Sequence, residues 1–208
     1  MSDPNSSKFA YEYPLLIKQI LISGISTNSN QEIISGKKQR FNYIDLKNRI
    51  TRLASGLTNL GVKFGDTVAV MDWDCHRYLE CFFAIPMIGA VLHTVNIRLS
   101  NQEILYTINN AEDDVILINL DFIPVIEKIY NQIEKPVKFI LISDEQHEIK
   151  TFNHFEIISD YETLINHSDL NFKFRDFDEK TIATRFYTTG TTGNPKGVSY
   201  SHRQLVLH

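Results

Sequence analysis

Cysteine is scarce: Cys75 and Cys81 are the only two in 208 residues, six apart in an apolar stretch. That excludes a disulfide-stapled fold. No second Cys/His pair stands at ligand spacing, so both read as reduced, buried thiols of a cytoplasmic protein rather than metal ligands. Long basic runs are missing and the net charge is −4, which excludes the concentrated cationic face that nucleic acid requires. The longest apolar run, Cys81 to Leu92, is too short to span a bilayer and is interrupted by Pro86 and Gly89. The opening "MSDPNSSKFAYEYP" lacks a basic segment followed by an apolar core, so no secretory signal is expected. No internal repeat is visible. With 43% hydrophobic and 22% charged residues, the chain is rich enough in apolar side chains to fold around a core.

What is present is a repeated alternation of short β-branched runs and amphipathic segments. "YPLLIKQILISGI" (Tyr13 to Ile25) suits a short amphipathic helix docked on the core with Lys18 and Gln19 outward. Peripheral membrane attachment by this segment stays open as an alternative. "GKK" at Gly36 to Lys38 reads as a hairpin turn. A helix then starts at Asn42 as N-cap, with Asp45 at N3 and Phe41 stapling on Leu46, and its apolar face runs through Ile50, Leu53 and Leu57. Strands follow at Gly65 to Met71, Ala90 to Val95, Asp114 to Asn119 and Val137 to Ser143. Helices lie between them, one opened by a Ser100–Glu103 capping box. Strands buried on both faces and separated by helices point to a mainly parallel sheet in a layered α/β/α fold. Asp144 to Lys180 is more polar and predicts one helix, capped by Ser159 with Glu162. His147, His154 and His167 in this stretch match no metal signature and read as solvent-exposed.

The segment "YTTGTTGNPKGVSYSH" (Tyr187 to His202) carries the chemistry. A strand is expected to feed it (Thr181 to Thr189) and another to leave it (Gly197 to Ser201), so it is not a linker. Gly190, Gly193 and Gly197 allow positive φ and close approach of backbone N–H groups to an anion. Thr188, Thr189, Thr191 and Thr192 add hydroxyl donors, Lys196 adds a point charge, and Pro195 stiffens the backbone before it. Together these make a polyphosphate cradle. It is not a Walker A loop, which would need Gly at 195 and Ser or Thr at 197, where this chain has Pro and Gly.

From Tyr187 to Gly197 the loop closely resembles the signature phosphate-binding loop of the adenylate-forming (AMP-dependent) synthetase and ligase superfamily. The resemblance runs back through "FNYIDLKNRITRLASGLTNLGVKFGDTVAV" and "AIPMIGAVLHTVNIRLSNQEILYTINNAEDDVIL". "MDWDCHRYLECFFAIPMIGAVLHTVNIRL" is most similar to the medium- and long-chain fatty-acyl-CoA ligase branch. One residue departs from the pattern: Arg185 stands where the superfamily has a small or apolar residue on a buried strand. It is expected either to point outward or to meet an acidic partner.

The resemblance implies an ATP-dependent ligase that activates a carboxylic acid as an acyl-adenylate and passes it to coenzyme A. ATP, Mg2+ and coenzyme A are then its expected co-substrates and cofactor. By the same resemblance, Thr188, Thr189, Gly190, Thr191, Thr192, Gly193 and Lys196 hold the β- and γ-phosphates. Residues 1–208 would form the N-terminal part of the large AMP-binding domain. Most Mg2+ ligands, the adenine and ribose sites and a mobile C-terminal domain would lie after His208. On that expectation the chain alone is inactive and self-associates through apolar surface left uncovered. Two other readings stay open: an adenylate-former for aryl or amino acids, and a non-enzymatic nucleotide-binding or scaffold module.

Overall fold

The computed structural model describes residues 13–36, 39–144, 155–189 and 193–208. Helix α1 (Lys18–Asn28) precedes a small antiparallel hairpin of β1 (Glu32–Ser35) and β2 (Gln39–Asn42). The α1 helix begins later than its apolar pattern suggests and runs three residues past Ile25, through Ser26, Thr27 and Asn28. Its inward residue is Leu21, with Leu16 and Ile17 buried just before it, while Ile20 and Ile22 face solvent. Lys18 is part-buried in an ion pair with Asp176, not turned outward.

A seven-stranded sheet then forms from β3 (Thr67–Met71), β4 (Val91–Thr94), β5 (Val115–Asn119), β6 (Lys138–Ile142), β7 (Ile157–Asp160), β8 (Ile182–Thr188) and β9 (Lys196–Ser201). Its spatial order is β7-β6-β5-β3-β4-β8-β9, all pairs parallel except the terminal β8–β9 hairpin. The connecting helices are α2 (Tyr43–Asn59), α3 (His76–Met87), α4 (Asn101–Ala111), α5 (Ile123–Ile129), α6 (Tyr161–Asn166) and α7 (His202–Leu207).

Side-chain alternation along the strands divides the interior into two cores. Val68, Val70, Leu92, Leu117 and Ile140 pack against α2, α3 and α6. Ala69, Met71, Ile116, Ile118 and Leu141 pack against α4 and α5. The result is the expected α/β/α layering, with each central strand covered on both faces. Three helix starts carry reciprocal capping boxes, at Asn42–Asp45, Ser100–Glu103 and Ser201–Gln204, the first two as the sequence signals.

The fourth differs. The α6 helix is capped by Asp160, whose carboxylate accepts the Thr163 N–H at 3.0 Å, and not by Ser159. Glu162 is thereby freed for another task. It takes a bidentate pair of hydrogen bonds from Arg49, both 2.9 Å, and a third from Arg77 Nε at 2.9 Å. Arg49 Nε also donates to the fully buried Glu80 at 2.6 Å, and Glu80 receives the Tyr161 hydroxyl at 2.7 Å. Arg77 continues to Asp144 and to the Ser143 carbonyl. This network ties α2, α3 and α6 to the end of β6. Strand β7 itself has no counterpart in the sequence reading of the polar 144–180 stretch. His147 and His154 lie outside the described residues, and His167 is exposed, its Nδ1 against the Thr163 carbonyl.

Candidate functional site

In parallel sheets, ligands gather at the carboxyl ends of the strands. The β8–β9 hairpin turns at that end. Its arms pair from Ile182–Ser201 to Thr188–Lys196, so the first threonine and the lysine of the motif stand directly opposite each other. Thr188, Thr189, Gly193 and Lys196 are exposed. The Thr188 hydroxyl has only a long 3.5 Å contact with the Lys196 carbonyl, which leaves its proton available to an acceptor. Among the described residues Lys196 has no carboxylate partner. Gly193 adopts φ +113 with open space where a side chain would stand, the conformation that only glycine takes freely. Pro195 is buried and anchors the returning arm. Gly190, Thr191 and Thr192, the other expected donors, lie outside the described residues.

Gly197 is glycine for another reason than the sequence suggests. Its φ is not positive; a Cβ there would meet Tyr187 Cε1 at 3.2 Å and Cζ at 3.4 Å. The missing side chain makes room for the ring of Tyr187, its cross-strand partner. Tyr187 is buried, and burial pushes its hydroxyl up to about 12. That hydroxyl donates to Asn110 Oδ1 on α4 at 2.8 Å. The ring also stands edge-to-face with His93 of β4, centroids 5.2 Å apart.

Arg185 sits one residue further down the same face. It is part-buried, with Nε on Ser199 Oγ and Nη1 on the Ala111 carbonyl, both at 3.3 Å. Its charge acts on the buried carboxylate of Asp113. It is not turned outward: its hydrogen bonds go to Ser199 and to the Ala111 carbonyl at the end of α4, and the acidic charge it acts on is that of Asp113.

After the loop comes β9, the second arm of the hairpin, not a helix, and α7 begins only at His202. Thr188 and Lys196 thus stand without a helix terminus directly behind them. A second polar cluster stands where β3 and β5 end. There Asp72 accepts from Asn119 Nδ2 (2.7 Å), the Trp73 N–H (2.8 Å) and Cys75 Sγ (3.0 Å). Burial pushes the Asp72 carboxyl up, and its oxygens are already bonded within the protein. Among the described residues no group of three His, Cys, Asp or Glu is placed to hold a metal ion.

The parallel sheet thus carries, at its carboxyl end, a hairpin whose mouth presents an exposed Thr/Lys pair. The pattern of the AMP-binding enzyme family matches residues 25–207, and the chain belongs to that family. It is 34% identical over 199 residues to the 3-methylmercaptopropionyl-CoA ligase of Ruegeria lacuscaerulensis, covering 94% of this chain and 36% of the relative. It is 38% identical over 174 residues to the medium-chain-fatty-acid–CoA ligase of Ectopseudomonas oleovorans, covering 84% of this chain and 32% of the relative. The fold matches the crystal structure of the anthranilate CoA ligase AuaEII in complex with anthranoyl-AMP, with a TM-score of 0.81 at 21% identity. That match covers 94% of this chain and 36% of that one. The chain thus spans about a third of the length of these relatives.

Sequence reasoning singled out the loop but not the buried pair His93 and Asp113 behind it. The available signal was a histidine inside the otherwise apolar run "AVLHTV", twenty residues before an aspartate that follows a helix.

Proposed function

We propose that this chain carries the phosphate-binding part of an ATP-dependent acyl-CoA ligase for aliphatic carboxylic acids. A carboxylate oxygen attacks the α-phosphorus of ATP, the bond to the bridging oxygen breaks, and pyrophosphate leaves with that electron pair. The thiol of coenzyme A then attacks the acyl carbonyl and AMP departs. Charge accumulates on the leaving pyrophosphate in the first step, so donors fixed beside its oxygens lower that barrier. The observation that carries this reading is Thr188 and Lys196 paired across the mouth of the hairpin, both exposed. The threonine hydroxyls, the N–H groups of the turn and Lys196 hold the β- and γ-phosphates; none of them is asked to act as nucleophile or base. The preference for aliphatic over aryl acids is supported by the similarity to the methylmercaptopropionyl and medium-chain fatty acid ligases.

The test is Lys196→Ala in the protein that has ligase activity. Adenylation, followed as ATP–pyrophosphate exchange, should slow by about 10²–10³-fold, as when other transition-state charge stabilisers are removed. Thioester formation from pre-made acyl-adenylate should change far less. Equal loss in both half-reactions refutes the role.

A further inference from the structure

His93 and Asp113 are the most deeply buried polar pair of the α4 side. Their exposures are 0% and 1%, and neither belongs to the loop. Imidazole Nδ1 lies 2.9 and 3.1 Å from the two carboxylate oxygens of Asp113, which fixes the ring in orientation. Nε2 has no hydrogen-bond partner among the described residues. Burying a carboxylate and a half-satisfied imidazole is costly, and an apolar pair of the same volume is commonly as stable or more so. Stability alone therefore gives weak reason for this pair. Its position gives a better one.

The His93 side chain lies in register with Ala69 of β3 and Arg185 of β8, two residues before Tyr187. Its ring is the wall against which Tyr187 stands edge-on. The end of α4 thus holds Tyr187 twice, at the hydroxyl through Asn110 and at the ring through Asp113 and His93. Gly197 leaves the opposite side open for the ring to seat. The residue after Tyr187 is Thr188, which faces Lys196.

We infer that His93, oriented by Asp113, is a positioning residue for the phosphate loop. By seating Tyr187 it sets where Thr188 and Lys196 stand relative to a bound polyphosphate. The inference rests on the reading of the loop given above. It assigns no chemical step to either residue; their effect is on where the donors point, and misplacement of donors by about 1 Å can cost as much as 10²-fold.

The test measures ATP–pyrophosphate exchange in the active protein with His93→Phe, Asp113→Asn, Tyr187→Leu, the double variant His93→Phe/Tyr187→Leu, and Lys196→Ala as reference. His93→Phe keeps an aromatic edge but loses the bond that orients it. It should raise KM for ATP by about tenfold while KM for the carboxylic acid stays within about twofold, a split that general destabilisation does not produce. Asp113→Asn retains an oxygen that can accept the Nδ1 proton and should restore most of the wild-type KM. In the Tyr187→Leu background, His93→Phe should have no further effect, because the intermediary is gone. Unchanged KM for ATP in His93→Phe, with Lys196→Ala impaired, overturns the inference and leaves the loop reading intact. So do equal rises for ATP and acid, or full additivity in the double variant. If Lys196→Ala leaves exchange untouched, the loop reading fails and this inference with it. Should His93→Phe fail to fold, His93→Gln, alone and in the Tyr187→Leu background, decides the same question.

Discussion

Two histidines at helix starts should make the folded chain acid-sensitive well above the carboxylate range. His76 opens α3, and its Nδ1 lies 3.2 Å from Ser35 Oγ; burial, with Arg77 and Arg49 nearby, pushes it down to about 4. His202 opens α7, is fully buried, and accepts the Ile17 N–H at Nδ1 (3.2 Å) while its ring stands against Phe177. Burial pushes it down to about 4 also, only partly offset by the Pro86 carbonyl. An unfolded histidine takes up its proton near pH 6.5. Between those values the unfolded chain binds more protons than the folded one, so stability is present above about pH 6.5 and is lost as pH falls toward 4. From pH 7 to pH 5 each histidine accounts for a loss of about 2 kcal/mol, and the two together for about 4. Other groups act in the same interval. Asp72, Glu80 and Asp113 are pushed up by burial and oppose the loss, whereas Glu162, pulled down by Arg49 and Arg77, adds to it only at lower pH. The overall slope is therefore not diagnostic, but a difference between variants is. His202→Gln keeps an acceptor and cannot titrate. In urea unfolding at pH 7, 6 and 5, the stability gap between it and the wild type should close by about 2 kcal/mol from the highest to the lowest pH. Parallel lines for the two proteins would refute the argument.

The other folding predictions concern helix contacts. At Gly56 in α2 an added Cβ would lie 2.6 Å from Leu164 Cγ and 2.7 Å from Ser168 Oγ. Gly56→Ala should therefore cost about 1–3 kcal/mol in denaturant unfolding, although alanine favours an open helix by about 1 kcal/mol. Arg49→Met strips the buried Glu80 of its cation and should cost about 3–5 kcal/mol. Adding Glu80→Gln should recover a substantial part of that loss, and a double variant as unstable as the single one would show that charge burial is not the cause.

Much of the layered fold was legible because its signals are local. The capping boxes at Asn42, Ser100 and Ser201 each need only four residues, and the central strands are continuous apolar runs. Strand β7 was not legible: its Ile157 and Ile158 are followed at once by Ser and Asp, and its edge place follows from pairing with Phe139 to Leu141. The cap of α6 was misplaced by one residue because Ser159–Glu162 fits the local rule. Two arginines distant in sequence hold Glu162 elsewhere. At the candidate site, the Thr/Gly/Lys composition of the loop stands in the sequence, but the role of Gly197 could not be read there. It depends on which residue lies across the strand pair, and that is a matter of register.

The hairpin also fixes what ordering the loop costs. Thr188 and Lys196 are cross-strand partners, so the two ends of the intervening segment are joined when the sheet forms. Bringing the ends of a flexible segment together is an entropic charge that grows with the logarithm of its length. Here folding has already met it. On the function proposed above, a polyphosphate would meet two ends already held together by the sheet, so closing them is no part of what its contacts must supply. If that function holds, length changes between the two ends should be tolerated by the fold and felt in nucleotide binding.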